Sequence, residues 1–234
     1  MAVTAKHYAE IYRQFQAPIS KRYDCGKKCA PHNGGVPVCC DIDNAIPIVD
    51  KPEWSLLKSR TDLWQRLKPT TPSQRREVKS LEDSESCAIK CKGAAHCERD
   101  NRSLACRSFP YFPYFDPKGN LVGLAHYWAF EGQCWVIANP MIVDQAFVTE
   151  MVASHEYMFR HDKKWHETYV EFSASMRRVF SRRKKKFAVL GRDGGYFWVL
   201  PHSGGKMIPA KAEDLARLGK MFPEDPATDA NAAA

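Results

Sequence analysis

The chain has 234 residues, of which 44% are hydrophobic and 26% charged, with a formal net charge of +8. This apolar content is enough for one sizeable packed domain, and it excludes a chain that is disordered over most of its length. The first residues, MAVTAKHYAEIYRQFQ, lack the apolar segment of a signal peptide, and no later stretch approaches the roughly 20 apolar residues of a membrane span. We therefore expect a cytoplasmic protein with no membrane contact.

The first part of the chain alternates short regular elements with loops. The apolar period predicts a helix over residues 5–16. Residues 23–41 contain four cysteines among Gly, Pro and Asn, without a helical or strand period, and so predict a loop. A short strand over 45–50 and a helix over 51–67 follow, the helix with proline in its first turn. Residues 69–86 are polar and predict an exposed connection.

The second part of the chain predicts hairpins and helices. The elements expected there are strands over 121–130 and 134–140, one long helix over 143–180, a hairpin over 187–201 around the glycines of GRDGG, and a short helix over 211–222. The whole predicts an α+β fold in which a loop-rich cysteine-cluster half, stapled by metal, packs against β-hairpins and one long helix. The expected regions are 1–115 (metal binding), 116–222 (α+β) and 223–234 (disordered tail).

Nine cysteines are distributed unevenly along the chain, since eight lie between residues 25 and 106 and only Cys134 lies beyond. In a reducing compartment thiols persist in clusters mainly as metal ligands or catalytic groups, and an odd total fits disulfide pairing poorly. The crowding therefore predicts a metal or iron–sulfur centre. Cys134 falls in a predicted strand and is expected to be a small buried side chain.

The eight clustered cysteines form two groups. Their spacings are Cys25-x3-Cys29-x9-Cys39-Cys40 and Cys87-x3-Cys91-x5-Cys97-x8-Cys106. Two thiolates on a short turn can converge on one ion, at Zn–S lengths of about 2.3 Å, and two such pairs from separate segments close a tetrahedral site. Neighbouring side chains in extended backbone point to opposite sides, so we expect one of Cys39 and Cys40 to serve the centre while the other packs, or the two to serve different centres.

This cysteine order resembles the bacterial cysteine-cluster family called YkgJ-like. The likeness covers residues 20–115 and depends on Cys25, Cys29, the Cys39–Cys40 doublet, Cys97, and the NRSLACRSFP segment that contains Cys106. The family is described as a zinc- or iron-chelating domain. The resemblance therefore implies chelation, with Cys25, Cys29, Cys97 and Cys106 as first-choice ligands and Cys39 or Cys40 next. Cys87 and Cys91 lie outside the best-matching segments, so ligation and packing are equally expected for them.

The sequence departs from the family pattern at two places. The family usually has a first cluster of the form CxxCxxCC, whereas here residues 30–38 precede the doublet, and the family's Arg-Pro before its last cysteine is Arg102-Ser103 here. The flagellin lysine methylases, which are similar to the family in this module alone, are thought to hold a [4Fe–4S] cluster. The resemblance thus implies a cluster of the same type.

Four thiolates suit zinc and iron–sulfur alike. We favour an iron–sulfur cluster, of the [4Fe–4S] type, because amide-rich loops such as Gly34–Gly35 can donate hydrogen bonds to cluster sulfurs; zinc is the alternative. His32 or His96 could replace one thiolate. The expected function is a cytoplasmic metalloprotein with a redox or cluster-dependent modifying role. No catalytic signature identifies a reaction, so catalytic residues stay unassigned.

A competing function depends on the basic run Arg177–Lys186, in which seven of ten residues are basic. Such a run can contact phosphate or an acidic surface, so the alternative is a non-catalytic zinc-stapled module that binds a nucleic acid or an acidic protein. The plainer interpretation is a solvated helix end. Arg107 is expected to form a structural ion pair or to face an anionic substrate. The aromatic segment Ser108–Phe115 is expected to cover the centre or to join the core.

Overall fold

The computed structural model describes residues 3–216. The helices are α1 (Ala5–Gln14), α2 (Cys25–Cys29), α3 (Lys51–Arg60), α4 (Pro72–Leu81), α5 (Leu104–Ser108), α6 (Trp135–Ala138), α7 (Gln145–His161), α8 (Lys163–Arg182) and α9 (Ala212–Ala216). The strands are β1 (Ile48–Asp50), β2 (Trp64–Arg66), β3 (Ser86–Cys91), β4 (Tyr111–Phe115), β5 (Leu121–His126), β6 (Phe187–Gly191), β7 (Tyr196–Leu200) and β8 (Lys206–Ala210).

Two antiparallel sheets and the helices packed on them make an α+β fold, as predicted. The smaller sheet has the order β1–β3–β2, and the larger has the order β4–β5–β6–β7–β8. In the smaller sheet Val49 lies opposite Cys87 and Trp64 lies opposite Cys91. The central strand β3 therefore carries two of the cysteines, and its C-terminal end leads directly into the second cysteine segment.

The helix predicted over 51–67 ends at Arg60, so the prediction is wrong for its last turns. Thr61 has extended backbone (φ −158°, ψ 157°), and Trp64–Arg66 pair with β3 as strand β2. The indole Nε1 of Trp64 donates a hydrogen bond to the carbonyl of Asn101 at 2.7 Å. Sheet pairing satisfies more backbone groups of this segment than a surface helix end would, which is why periodicity alone misassigned it.

The connection expected over 69–86 contains a helix, α4. Its first turn has Pro72 at a position where a proline costs no hydrogen bond, and Thr71 Oγ1 accepts a hydrogen bond from the Gln74 amide at 3.1 Å. Val78 of α4 is buried against Leu67 and Ala88. One buried side chain and a good cap suffice here for a helix that the polar composition did not predict.

The strand predicted over 134–140 is instead the short helix α6, so that prediction is wrong. Strand β5 pairs with β4 on one side and β6 on the other. Strand β4 is an edge strand, which tolerates Pro113 because that position needs no ladder donor. The aromatic segment 108–115 therefore lies mostly in the sheet and the core, one of its two expected places.

The single long helix predicted over 143–180 is two helices, α7 and α8. Asp162 between them has extended backbone (φ −142°, ψ 108°), and its Oδ1 accepts a hydrogen bond from the Lys164 amide at 2.8 Å, which caps α8. Helix α8 packs on β4, where Ser173 Oγ accepts a hydrogen bond from the Phe115 amide at 2.9 Å. The apolar stripe continues through the break, so periodicity did not reveal it.

The hairpin predicted over 187–201 is confirmed as β6 and β7, and β8 extends the sheet further. Strands β5 and β6 approach closely where Gly123 faces Gly191. A Cβ atom at residue 123 would lie 1.9 Å from the Leu190 carbonyl oxygen, so this crossing requires glycine. The helix predicted over 211–222 begins at Ala212; its remainder and the predicted tail 223–234 lie outside the described residues.

The main core joins both halves of the chain. Its fully buried members include Ile11 of α1, Leu57 of α3, Ile89 of β3 and Met151 of α7. The predicted boundary at residue 115 falls between β4 and β5, which pair as one hairpin. Within residues 3–216, no helix is both long enough and apolar enough to cross a membrane.

A buried carboxylate connects α1, α3 and α5. Glu53 of α3 is 2% exposed, and its Oε1 accepts hydrogen bonds from the hydroxyl of Tyr12 at 2.5 Å and the amide of Leu104 at 2.6 Å. Burial raises the pKa of Glu53 to about 7, although both hydrogen bonds act to lower it. Nearby, Asp50 Oδ2 accepts from Tyr8 and from Trp165 of α8. The hydrogen bond from the Leu104 amide to Glu53 holds the start of α5, the helix that carries Cys106.

His155 of α7 is fully buried. Its Nδ1 lies 2.8 Å from the Met151 carbonyl, and its Nε2 has no hydrogen-bond partner. Burial lowers the pKa of His155 to about 4. The ring lies among Phe159, Trp165 and Tyr169. His155 is therefore a neutral core side chain.

Glu53→Gln is expected to gain stability relative to the wild-type protein as pH rises from 5 to 8. Between its unfolded pKa of about 4.3 and its folded pKa of about 7, folded Glu53 holds a proton that the unfolded chain has lost, so wild-type stability falls as pH rises through this window. The free energy of unfolding of the variant should rise relative to wild type by about 2–3 kcal/mol, at ~1.36 kcal/mol per pH unit. Urea unfolding at several pH values measures it.

The readout is the difference between variant and wild type, because His155 titrates with the opposite sign. Its depressed folded pKa removes stability as pH falls through about 6.5 to 4, in both proteins alike. Exposed Glu77→Gln is the matched control and should show no such rise. A stability difference for Glu53→Gln that stays flat from pH 5 to 8 would contradict the assignment.

Candidate metal centre

The first cysteine segment folds around a capped helical turn. Asp24 Oδ1 accepts hydrogen bonds from the amides of Gly26 and Lys27 at 2.9 and 3.2 Å, which starts α2. Cys25 and Cys29 are four residues apart and so share one face of this turn. The local cap therefore gives the segment a fixed geometry, although its composition predicted only a loop.

The sulfur of Cys29 is already engaged by the backbone. It accepts a hydrogen bond from the Val38 amide at 3.4 Å and lies 3.7 Å from the Gln133 carbonyl oxygen, to which the thiol donates. Cys29 is 5% exposed, and Cys134 beside it is 4% exposed, so Cys134 is buried as predicted, though in the cap of α6 and not in a strand. These two thiols join the first cysteine segment to α6.

The doublet Cys39–Cys40 lies in a single helical turn (Val38–Cys40), not in extended backbone. Because of this turn the two thiols lie on the same side, with their Sγ atoms 4.0 Å apart, which corrects the expectation that they point apart. For comparison, tetrahedral geometry with Zn–S bonds of about 2.3 Å places ligand sulfurs ~3.8 Å apart.

The second cysteine segment begins where β3 ends. Cys91 is the last residue of β3, and its Sγ accepts a hydrogen bond from the Gly93 amide at 3.4 Å. The turn at Gly93 has φ 101°, a conformation that favours glycine, and Cys97 follows four residues after it on an exposed stretch. Cys91 and Cys97 thus lie at the two ends of one short loop, close enough for the charge of Cys91 to act on Cys97.

Cys106 is carried by α5, which three interactions hold. Ser103 caps the helix by accepting a hydrogen bond from the Cys106 amide at 3.3 Å, and Glu53 holds the Leu104 amide. Arg107 donates to three backbone carbonyls, those of Arg102, Phe15 and Asp100, at 3.0, 2.7 and 2.6 Å. Arg107 therefore forms no salt bridge among residues 3–216, which corrects the expected ion pair, and its contact with an anionic substrate stays a prediction. It joins α5 to α1 and to the preceding loop.

Four thiols from three chain segments lie close enough to influence each other's ionisation. Burial raises the pKa of Cys106 to about 12, and the charges of Cys91 and Cys40 add to this. Burial also raises the pKa of Cys97, again with contributions from Cys40 and Cys91. The charges of Cys40 and Cys91 thus act on both Cys97 and Cys106, so the four thiols lie in one region of the structure.

Cys25 and Cys39 border this group of four. The hydrogen bond with Cys40 and burial raise the pKa of Cys39, with smaller contributions from the charges of Cys106 and Cys25. Burial raises the pKa of Cys25, mainly assisted by the charge of Asp24. These two thiols are neighbours of the centre and are available as additional donors.

Cys40 differs from the other thiols of the group. A hydrogen bond from Cys39 lowers the pKa of Cys40 to about 7, and the guanidinium of Arg102 acts in the same direction. Arg102 also lowers the pKa of Cys25, Cys97 and Cys106, against the larger effect of burial. Arg102 was not predicted to be functional; its position four residues before Cys106 was the available signal.

Cys87 is separated from the group. It is fully buried in β3 and shares a strand face with Cys91, but four residues at about 3.3 Å each place it ~13 Å away. Burial raises the pKa of Cys87, and the charged side chains that act on its thiol are those of Arg66, Glu82 and Glu53. Cys87 is a core residue of the small sheet.

Among residues 3–216, no three Cys, His, Asp or Glu side chains have donor atoms arranged to hold a metal ion. The thiols thus converge on one region without reaching coordination distances. His32 and His96, the candidate replacements for a thiolate, are exposed. Gly35, expected to offer its amide to sulfur, donates to the Ala30 carbonyl at 2.8 Å, and the amides found on sulfur are those of Val38 and Gly93.

A cavity of about 200 Å³ lies against the thiols. Cys25, Cys39 and Cys106 form part of its wall, and Arg99 and Arg102 form another part. Further wall residues are mostly apolar: Phe15, Ile19, Val38, Phe109, Trp135 and Phe147. Phe109 is thus the member of the aromatic segment 108–115 that reaches this region.

The basic run Arg177–Lys186 is largely engaged within the protein. Arg177 donates to the Phe115 carbonyl at 2.6 Å, Arg178 pairs with Glu171, Arg183 pairs with Glu131 at 2.9 Å, and Lys186 Nζ lies 4.0 Å from the centre of the Trp198 indole. Four of the seven cations therefore already have a partner. Binding of a nucleic acid or an acidic protein to this run stays a prediction that no structural feature favours.

Comparisons with protein-family models, with curated proteins and with solved structures find no match to this chain. The resemblance to the YkgJ-like family therefore stays a prediction that depends on the cysteine-bearing segments. The class that the structure itself defines is an α+β protein in which cysteines from three chain segments converge beside a cavity.

In metal-free protein, Cys40 is expected to react with iodoacetamide with a midpoint near pH 7, and Cys106 and Cys134 only at much higher pH. The thiolate is the reactive form, and the pKa of Cys40 is about 7 whereas burial raises the pKa of the other two to about 12. Peptide mass spectrometry after short pulses across pH measures each midpoint. A midpoint is used because accessibility scales the rate without moving it.

The control variant Arg102→Gln should raise the Cys40 midpoint, because the guanidinium no longer favours the thiolate. Equal midpoints for Cys40 and Cys106 in wild-type protein would contradict the assignment.

Proposed function

We propose that this protein is a metalloprotein that holds an iron–sulfur cluster through Cys40, Cys91, Cys97 and Cys106, with zinc as the alternative metal. The observation that supports the proposal is the mutual influence of these four thiols, which come from the Val38–Cys40 turn, the end of β3 and its following loop, and α5. The four proposed ligands come from separate segments, and sets of four soft donors suit zinc and iron–sulfur centres.

The donor chemistry fits a metal centre. Buried thiols with raised pKa values, such as Cys106, stay protonated at neutral pH in the absence of a cation. A coordinating metal deprotonates a thiol, so it would turn this group into a four-thiolate shell. The shift in position that ligation requires is available because Cys97 lies on an exposed stretch and Cys40 in a short turn.

Two features favour iron–sulfur over zinc. The Gly93 amide donates to the Cys91 sulfur, and hydrogen bonds to ligand sulfurs are a means by which proteins tune cluster potentials. Arg102 supplies positive charge beside Cys40, which suits a centre that carries negative charge. A bound cluster would supply one-electron chemistry, and Cys25 and Cys39 would border it on the cavity side.

The proposed ligand set overlaps with the one implied by the YkgJ-like resemblance at Cys40, Cys97 and Cys106. It replaces Cys25 and Cys29 by Cys91. The reason is that the Cys29 thiol donates to the Gln133 carbonyl and lies beside Cys25 and Cys134, whereas the charge of Cys91 acts on Cys97 and Cys106. A redox role, or a modifying role that depends on the cluster, follows from the proposal; compartment and reaction remain expectations from sequence.

Protein purified without oxygen is expected to contain iron and acid-labile sulfide and to absorb broadly in the visible range. Elemental analysis and a visible spectrum measure this. The double variant Cys97→Ser/Cys106→Ser should lose the centre completely, because two of four thiolates are missing. Cys87→Ala and Cys134→Ala are matched controls outside the ligand set and should keep the wild-type metal content, at a stability cost of ~1 kcal/mol for a small cavity.

Circular dichroism separates loss of metal from loss of fold in these variants. Full metal content in the folded double variant would refute the ligand set. Loss of the centre in Cys87→Ala would refute the separation of Cys87 from it. A colourless wild-type protein with one equivalent of zinc would replace the iron–sulfur proposal by its alternative.

Removal of the metal is expected to loosen the two cysteine segments and to leave the five-stranded sheet intact. Residues 25–40 and 92–106 contain short turns and no strand, so ligation would supply much of their order. Hydrogen exchange with and without chelator should show faster exchange in both segments and unchanged exchange in β5–β7. Equal exchange everywhere would show that no metal stabilises these loops.

A further inference from the structure

Arg102 is a half-buried cation whose guanidinium has no hydrogen-bond or salt-bridge partner among residues 3–216. The Nε–H of Arg102 is inaccessible to solvent and has no acceptor within residues 3–216. A buried N–H without an acceptor destabilises the fold by more than an ordinary hydrogen bond stabilises it, and the cost is larger when the group is charged. Arg107 nearby shows the contrast, because three of its nitrogens donate to backbone carbonyls.

The loop that carries Arg102 is held in place from outside. Arg60 donates to the Asn101 side chain at 3.0 Å and to the Asp100 carbonyl at 3.2 Å, and Trp64 donates to the Asn101 carbonyl. Arg99, in the same loop, is exposed and likewise has no side-chain partner in the described part of the chain. Two unpaired guanidinium groups are therefore presented by one anchored turn.

Both arginines line the cavity of about 200 Å³ beside the thiols. Among the described residues that line it, Asp100 is the one acid, against Arg99, Arg102 and Arg107. An engineered cavity of about 150 Å³ in another protein holds benzene, so this volume suits a small organic molecule. The apolar wall, which includes Phe109 and Trp135, would receive its apolar part.

We propose that this cavity binds a small organic carboxylate, with the carboxylate paired to Arg102 and Arg99 and its apolar body against Phe109 and Trp135. A guanidinium fork matches the two oxygens of a carboxylate. Inorganic phosphate would fill the charge requirement but would leave the aromatic wall without a partner. The site is adjacent to the proposed metal centre, but the binding depends on the arginines and the cavity and not on the metal.

The test uses the full-length protein with benzoate as the probe and benzamide as its neutral analogue, by isothermal titration calorimetry. We expect benzoate to bind and benzamide to bind at least tenfold more weakly. Arg102→Gln should weaken benzoate binding at least tenfold, and Arg102→Lys should restore part of it, because the charge returns without the fork. Arg76→Gln, an exposed arginine of α4, is the matched control and should bind as wild type.

Metal content is measured for every variant, so that the two proposals are judged separately. Equal benzoate binding by metal-loaded and metal-free wild type, with loss in Arg102→Gln, supports the carboxylate site whatever the centre proves to be. Benzamide binding as tight as benzoate, or no benzoate binding by folded wild type, overturns it. So does an Arg102→Gln variant that loses metal yet keeps its benzoate affinity, because Arg102 would then serve the thiolates alone.

Discussion

The hydrogen bonds of the buried Glu53 carboxylate are the constraint on which the cysteine region depends. This one side chain of α3 holds the Tyr12 hydroxyl of α1 and the Leu104 amide at the start of α5. Helix α5 has only five residues and would not persist alone. Its position, and with it that of Cys106, is therefore set by a polar contact in the core. Because the carboxyl is fully buried, its charge state is coupled to the stability of this arrangement.

The cysteine segments differ from the rest of the fold in how their backbone is satisfied. In the five-stranded sheet, the backbone groups of β4 to β8 form continuous hydrogen-bond ladders. In residues 25–40 and 92–106, individual hydrogen bonds satisfy the backbone instead. Several of those contacts involve sulfur: Val38 donates to Cys29, and Gly93 donates to Cys91. Sulfur is a weak acceptor, so these hydrogen bonds contribute little stability. Rigid sheets thus hold the ends of loops that have little order of their own, and this is the setting in which an inorganic centre changes stability most.

The sequence predicted the parts of the fold that depend on local patterns and short turns. Helix α1 and the β6–β7 hairpin follow from periodicity and from the glycines between the strands. The break at Asp162 and the strand at Trp64–Arg66 did not, because the first interrupts a continuous apolar stripe and the second exists only through pairing with β3. Tertiary pairing decides such segments, and a single sequence holds no record of it.

The candidate site divides in the same way. The crowding of cysteines predicted a metal centre in this region, but spacing alone could not separate Cys87 from Cys91. The two lie on the same face of β3, and only Cys91 is at its end. Nor could it show that Cys29 is engaged by backbone groups while Cys40 and Cys106 face each other. The contribution of Arg102 was least accessible, because it depends on the absence of a partner, which only the folded arrangement reveals.

Burial and charge act against each other in this site, and their balance determines what it can bind. Burial alone would keep the thiols protonated, as it does for Cys134, and would make the region an ordinary apolar core. The unpaired Arg102 beside Cys40 changes this, because it favours negative charge at one point of a group that otherwise resists it. A centre of four thiolates carries net negative charge, as a carboxylate does, so the positive charge of Arg102 favours both proposed ligands. The two proposed ligands therefore follow from one electrostatic feature, the placement of an uncompensated guanidinium beside converging buried thiols.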